Sequence, residues 1–198
     1  VKFLVGEGST DYNSAMIAAA QNGHSNIVNY LLGKGATDYN GALIGIAKYG
    51  DINLMKKLIN MGANDLNSAM KSAASSKSDN IDTIIFLMDH GADNYDGTLA
   101  AAAAEGHIDL VNFLIENGAT DYDTAIGFAA RAGHLNIVKL LLDKGATDYD
   151  ETLIGVASNG DIDLVKILID KGASSYDESM LVAAKHGHLD IVELLIDK

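Results

Sequence analysis

Two short stretches of the sequence match signatures of serine-dependent acyl transfer. Ser68 and Lys71 fit the pattern S-x-x-K, and residues 78–80 read S-D-N. In such enzymes the serine attacks the acyl group, and neighbouring side chains assist the proton transfer. Here the two stretches lie too close together, and no K-T-G triplet follows them. We therefore predict no acyl-transfer site.

Oxygen and nitrogen ligands also occur, but in arrangements that do not favour a metal. Residues 93–97, DNYDG, partly resemble a calcium-binding loop. However, the side-chain oxygen ligands are misplaced relative to the glycine, and no Glu closes the loop. The chain has no Cys, so it can form neither a disulfide nor a Cys-based zinc site. His186 and His188 flank Gly187 on one turn, which gives weak support for adventitious metal binding. The sequence predicts no metal, no cofactor and no catalytic residue.

The remaining histidines recur because the chain is built from one repeated unit. His24, His107, His134 and His188 fall at the same place in successive copies, so they line a ridge and do not converge. We interpret them as turn residues whose rings bond local backbone. The copies are 27 residues apart, except for 29 residues between the third and fourth, and a marker residue recurs in each: Tyr12, Tyr39, Leu66, Tyr95, Tyr122, Tyr149 and Tyr176.

Self-similarity at this period is typical of a solenoid in which each unit packs against its neighbours. We predict one domain over residues 1–198. It would contain a partial repeat at 1–10 and seven repeats that start near residues 11, 38, 65, 94, 121, 148 and 175. The two extra residues fall in the third copy, around 75–80. They indicate either a local bulge or a contact loop.

Each unit reads as two helices. Asp121 is placed to cap the first helix, and the same column holds other capping residues. Glu151 and Glu178 follow their caps by three residues, which predicts capping boxes. Gly133 would end the first helix in a left-handed conformation, and Gly145 would end the second. The sequence allows two interpretations of the tyrosine marker column. The rings either pack layer on layer or offer an aromatic strip to a partner.

Residues 129–146 carry the pattern A-A-x-x-G-H-L-x-I-V-x-x-L-L-x-x-G-A, which resembles the ankyrin repeat. The resemblance covers nearly the whole chain. Two features depart from the family: the Thr-Pro of the first helix is absent, and the repeat is six residues shorter than the usual ~33. The missing residues fall between Ala146 and Tyr149, where an ankyrin repeat projects its β-hairpin finger. The resemblance implies an all-α, ankyrin-like solenoid of seven helix-turn-helix repeats, with the hairpins shortened to stub loops. The repeat wording is similar to the ankyrin arrays of giant viruses.

The amino-acid composition limits the classes of partner that the chain can bind. The formal net charge of −13 argues against nucleic acid and against an anionic membrane surface. It would steer a basic protein surface toward the chain, although solubility alone also explains an acidic surface. No apolar run approaches ~20 residues, and no signal peptide opens the chain. By default we expect an intracellular, cytoplasmic protein.

Two columns after the Ala pair vary from copy to copy, and the ankyrin resemblance implies that they lie on the concave face that binds targets. A purely solvated surface would vary as well. The strongest candidates are exposed aromatic or basic residues in an acidic protein. The predicted partner-binding set is Lys48, Tyr49, Arg131, Lys185, Gln21, Glu105 and His186.

Neither end of the sequence reads as a polar capping repeat. Residues 1–8 align with residues 28–35, inside a second helix. The chain would then be part of a longer array or would stack on other copies through its ends. The sequence therefore predicts a non-catalytic protein-binding scaffold. The alternative is a structural solenoid that self-assembles end to end into rods or filaments.

Overall fold

The computed structural model of the protein describes residues 11–198, and the partial repeat predicted at residues 1–10 lies outside this range. The described residues form 14 α-helices and no strand. The helices are α1 Tyr12–Ala20, α2 Ser25–Leu32, α3 Tyr39–Ala47, α4 Ile52–Asn60, α5 Leu66–Ala74, α6 Ile81–Asp89, α7 Tyr95–Glu105, α8 Ile108–Glu116, α9 Tyr122–Ala132, α10 Leu135–Lys144, α11 Tyr149–Asn159, α12 Ile162–Asp170, α13 Tyr176–His186 and α14 Leu189–Ile196.

The helices come in pairs, which we call the first (odd-numbered) and second (even-numbered) helix of each repeat. This confirms the all-α, helix-turn-helix interpretation. The described residues divide into two compact units, residues 11–94 (unit 1) and 95–198 (unit 2). The single domain over 1–198 stays a prediction.

The predicted helix caps are largely present. Asp121 Oδ1 accepts the backbone N–H of Thr124 at 3.0 Å, and Asp11, Asp38, Asp65 and Asp148 cap their first helices in the same way. Gly133 and Gly145 end their helices with φ of +81° and +104°, as predicted.

The predicted capping boxes are wrong. The N–H of Asp148 donates to Asp123, so Glu151 does not bond it, and the Glu151 carboxylate pairs instead with Arg131. In the last repeat the N–H of Ser175 likewise donates to Asp150, at 2.9 Å.

A stub loop connects each second helix to the next first helix. The Gly-Ala pair explains how so short a loop closes. In the loop after α10, Gly145 takes the left-handed turn, and Ala146 donates its N–H to the carbonyl of Leu141 at 2.9 Å. Ala146 is buried, and the equivalent alanines share its environment: Ala36, Ala63, Ala92, Ala119 and Ala173. The loop thus adds an apolar methyl group to the core.

Within each unit the first helices pack closely side by side, and each also packs against its own second helix. Buried Met16, Leu43 and Met70 occupy one column of this core in unit 1. Leu99, Ile126 and Leu153 occupy the same column in unit 2. The Ala pair brings the backbones close: a Cβ built on Gly155 would lie 2.7 Å from Ala130 Cβ. The first helices therefore form a tight layer in each unit, and the residues at their ends face outward.

Candidate functional site

One column of side chains ties each stub loop to the helix layer. It lies two residues after each first-helix cap and holds Asn13, Asn40 and Asn67 in unit 1 and Asp96, Asp123 and Asp150 in unit 2. Each Oδ1 atom accepts two backbone N–H groups from the following loop, 24 and 25 residues later, or 26 and 27 residues later for Asn67. For Asn40 these donors are Asn64 at 2.7 Å and Asp65 at 3.0 Å. We call this set the loop clamps.

The clamps differ chemically between the units. In unit 1 the amide of Asn40 also donates to Asn64 Oδ1 at 3.1 Å, so the facing side chain is an acceptor. In unit 2 the carboxylate of Asp123 accepts the Thr147 hydroxyl at 3.0 Å, so the facing side chain is a donor. Burial raises the pKa of Asp123, but the bonds from Thr147 and Asp148 outweigh it and leave the pKa lowered.

A second set of bonds joins the turns of neighbouring repeats. The Tyr49 hydroxyl donates to the carbonyl of Gln21 at 2.9 Å, and its ring lies so close to Gly23 that a Cβ there would be 2.8 Å from the ring. His134 makes the equivalent bond through Nε2 to the carbonyl of Ala104 at 3.1 Å, over Gly106. His188 does the same to Ser158, at 3.0 Å.

These bonds revise the interpretation of the turn histidines, because the rings of His134 and His188 reach the backbone of the preceding repeat and not only their own turn. They also show that the residue at the inter-helix turn determines which side chain bonds the preceding repeat. Where the turn residue is His, the ring reaches back and leaves the second helix without a side-chain cap, as at His134. Where it is Asp, as at Asp51, the carboxylate caps the second helix, and the residue two positions earlier reaches back, as Tyr49 does.

Two of the predicted binding residues come together in unit 1. Gln21 and Lys48 are both exposed, and they line one groove with Ile44, Gly45 and Ser72, of about 330 Å³. Its walls are the ends of α1, α3 and α5. We call it the unit 1 groove. Tyr49 does not line this groove; the residue is 53 % exposed although its hydroxyl is bonded.

Arg131 lines a second groove, in unit 2. Its Nε atom donates to Glu151 Oε1 at 2.8 Å, and its Nη2 atom donates to the same oxygen. The groove, of about 180 Å³, is also lined by Phe128, Asp148, Gly127, Asp123 and Thr124. We call it the unit 2 groove.

Sequence reasoning missed Phe128, which is 45 % exposed. A signal was present: the equivalent positions in the other copies are smaller, being Ala18, Gly45, Ser72, Ala101, Gly155 and Val182. A large aromatic residue in that column has no buried space to fill, because the neighbouring helices approach too closely there. It therefore lies on the surface.

The other three predicted residues line neither groove. Glu105, Lys185 and His186 are exposed at the ends of their first helices. The His186 ring bonds the carbonyl of Val182 through Nδ1 at 2.8 Å, and it stacks beside His188 with 6.4 Å between ring centres.

The acidic charge is unequally divided. Residues 95–198 hold 18 of the 27 acidic side chains and 7 of the 14 basic ones, so they carry −11 of the net charge of −13. Among residues 11–198 there is no group of three or more His, Asp or Glu side chains that could hold a metal ion. No helix in that range is long and apolar enough to cross a membrane.

Comparison with known families decides the relationship. The model for "Ankyrin repeats (3 copies)" matches residues 16–98, 43–125, 99–178 and 128–198, which together cover almost the whole chain. The chain belongs to the ankyrin-repeat family. Ankyrin repeats are generally protein–protein interaction modules, and the family is typically non-catalytic. A search of curated proteins gives no match. The ankyrin repeats of this chain are short, with a stub loop in place of each finger.

Proposed function

We propose that this ankyrin-repeat chain binds a protein partner through the exposed ends of its first helices, without catalysis. The observation that carries the proposal is the pair of grooves. In each unit, residues that vary between copies line a depression between neighbouring first helices. Such depressions accept partner side chains, and exposed aromatic and Arg residues at them often dominate binding energy. We call these surfaces together the first-helix face.

The contacts within the repeats narrow the set of residues available to a partner. The Tyr49 hydroxyl is already bonded to Gln21, and the backbone of the stub loops is held by the loop clamps. Lys48 lines the unit 1 groove without an ion pair to any described residue, and its charge is exposed. Phe128 offers an exposed apolar contact in unit 2, where Arg131 is already paired with Glu151.

The test uses two matched double variants of the full chain. K48A/F128A removes one exposed cation and one exposed apolar side chain from the first-helix face. K56A/I167A removes the same types from second helices, where Ile167 is 43 % exposed, close to the value for Phe128. Proteins captured by the native chain are purified, and their affinities for all three forms are measured. Circular dichroism checks that each variant is folded.

The proposal is supported if the first-helix variant lowers the partner's affinity at least roughly tenfold and the second-helix variant changes it by less than roughly twofold. This contrast is expected when a few residues dominate the binding. A partner that responds only to the second-helix variant, or equally to both, would overturn it.

A second candidate function, self-association, rests on the last repeat. Met180 is half-buried and Ala184 is exposed, whereas their counterparts Leu153 and Ala157 in the preceding repeat are fully buried. Ile196 is 66 % exposed. We propose that a second copy of the chain covers this surface, since in unit 2 the equivalent surface of each earlier repeat is covered by another repeat.

The self-association proposal predicts that sedimentation over a concentration series shows reversible association, and that Ala184→Glu abolishes it. The matched control is Lys185→Glu, which makes the next residue negative at a position whose counterparts in the two preceding repeats, Arg131 and Ser158, are not buried. A sedimentation profile that is monomeric throughout, or association that survives Ala184→Glu, contradicts the proposal.

A further inference from the structure

The aromatic ring of Phe128 is the first of three features of the unit 2 groove that point to one kind of ligand. Phe128 is 45 % exposed and lines the depression together with Asp148 and Glu151. An aromatic face beside carboxylates suits a side chain that has an apolar stem and a cationic head. The stem packs on the ring, and the head is attracted both by the ring face and by the carboxylates.

The second feature is the way in which Arg131 uses Glu151. Both guanidinium donors go to Oε1, with Nε at 2.8 Å, and no described residue makes a hydrogen bond to Oε2. Asp148 similarly uses Oδ1 to cap α11, at 3.3 Å from the N–H of Glu151. Asp123 differs, because both of its oxygens are bonded to Thr147. The groove therefore retains more acceptor capacity on Glu151 and Asp148 than on Asp123, which already accepts three hydrogen bonds.

The third feature is the charge around the groove. Its lining holds three carboxylates and one guanidinium, and unit 2 as a whole carries −11. A field of one sign raises the local concentration of a ligand of opposite charge. An acidic ligand would gain Arg131 only by displacing Glu151, and it would face the other carboxylates.

We infer that the unit 2 groove binds an Arg or Lys side chain of the partner, with its stem on Phe128 and its charge at Glu151 and Asp148. This rests on the proposed function and specifies its chemistry in unit 2. The partner segment is basic at this position, and Arg131 competes with the incoming cation for Glu151. Arg131 thus limits access of the partner's cation to the Glu151 carboxylate and is not the main contact of the partner.

The test uses three synthetic peptides of the same length: Ac-Gly-Ser-Leu-Arg-Leu-Ser-Gly-NH₂ and the two versions in which Arg is replaced by citrulline or by Glu. Each is titrated into the ¹⁵N-labelled full chain, and amide shifts are followed by NMR. The expected result is that the Arg peptide shifts the amides of Gly127, Phe128 and Glu151. The citrulline and Glu peptides should not. Raising the salt concentration weakens the effect of the Arg peptide, because the charges are exposed.

Matched variants separate this groove from the general acidity of unit 2. Glu151→Gln should weaken binding of the Arg peptide roughly two- to fivefold, the upper part of the range of an exposed ion pair. Glu178→Gln removes the same charge from the same column of another repeat, and it should leave binding nearly unchanged. Phe128→Ala should weaken binding, whereas Ile167→Ala should not.

Arg131 gives the sharpest contrast. Arg131→Gln frees Glu151 and should strengthen binding of the Arg peptide, whereas Lys139→Gln should strengthen it less. Lys139 is a suitable control because it is also an exposed cation of unit 2 that pairs with a carboxylate, Asp161, at 3.3 Å. Weaker binding with Arg131→Gln would overturn the inference, as would equal effects of Glu151→Gln and Glu178→Gln.

The two proposals fail separately. If none of the peptides shifts the groove amides while a purified partner still depends on the first-helix face, the inference is wrong and the proposed function stands. If the Arg peptide binds at Phe128 and Glu151 but every purified partner depends on the second helices, the groove chemistry is right and the proposed function is wrong.

Discussion

Asp123 uses both of its carboxylate oxygens on Thr147: Oδ1 accepts the backbone N–H group, and Oδ2 accepts the hydroxyl group at 3.0 Å. Oδ1 also accepts the N–H of Asp148 at 3.0 Å. One carboxylate on the first helix therefore holds the whole stub loop that leads into the next repeat. Such clamps accept hydrogen bonds from the backbone N–H groups of the stub loop. In a longer ankyrin loop, a β-hairpin would provide partners for such groups.

Replacing the clamp tests this role. Asp123→Ala should lower the free energy of unfolding by about 1–2 kcal/mol, because three hydrogen bonds are lost at a site that water can reach. Asp123→Asn should cost less, since the amide oxygen can still accept both N–H groups, as that of Asn40 does. Urea denaturation measures both. Equal losses for the two variants would contradict the clamp.

The clamps also predict how stability depends on pH. In Asp150 the N–H of Ser174 is the largest cause of a lowered pKa, and in Asp123 the hydrogen bonds together outweigh the effect of burial. A folded-state pKa below the ordinary 3.8 means that the stabilisation is complete above that value and is lost as the pH falls through the folded-state pKa. The double variant D123N/D150N should therefore lose less stability than the native chain between about pH 5 and pH 2. Urea unfolding midpoints across that range decide the matter, and parallel curves for the two proteins would refute the assignment.

Two glycines of unit 2 offer a matched comparison of helix packing. A Cβ on Gly155 would lie 2.7 Å from Ala130 Cβ, whereas a Cβ on Gly127 would meet only Glu151 Cγ, at 3.7 Å. Gly127→Ala should stabilise the chain by about 0.5–1 kcal/mol, because the helix gains propensity without a clash. Gly155→Ala should destabilise it by about 1–3 kcal/mol through overpacking. Thermal unfolding of both variants checks the signs, and stabilisation by Gly155→Ala would show that the first helices are not closely packed.

The bond from Tyr49 to Gln21 predicts a structural cost at a residue that was expected to bind a partner. Tyr49→Phe keeps the ring over Gly23 and removes the hydroxyl, so the free energy of unfolding should fall by about 0.5–1.5 kcal/mol. Tyr39→Phe serves as the control in the same unit, because no hydrogen bond of its hydroxyl is present among residues 11–198. If both variants lose the same stability, the hydroxyl bond contributes nothing.

Much of the fold could be predicted from the sequence because the same helix-turn-helix pattern occurs in seven copies. The Asp caps, the left-handed Gly133 and Gly145 and the absence of strands among residues 11–198 all follow from local residue preferences that recur in most copies. The capping box at Glu151 failed because its donor, the N–H of Asp148, has a partner 25 residues earlier in the chain. That competition is tertiary, so residue preferences around the helix start do not reveal it.

The candidate site was less predictable for the same reason. Gln21 and Lys48 meet in one groove because neighbouring first helices are nearly in register, which the column alignment already indicated. The bond from Tyr49 to Gln21 was hidden, since a column shows which residues align and not which atoms touch. Phe128 could have been found as the one large residue in a small column. Its exposure depends on the close approach of the helices.

Cross-saturation NMR of a methyl-labelled full chain with a purified partner tests the central claim most directly. Ile44 lines the unit 1 groove, and Ile167 is exposed on the second helix α12, so the two methyl signals report on opposite assignments of the binding surface. We expect irradiation of the partner to attenuate the Ile44 signal and to leave that of Ile167 unchanged. Attenuation of Ile167 without Ile44 would contradict the account.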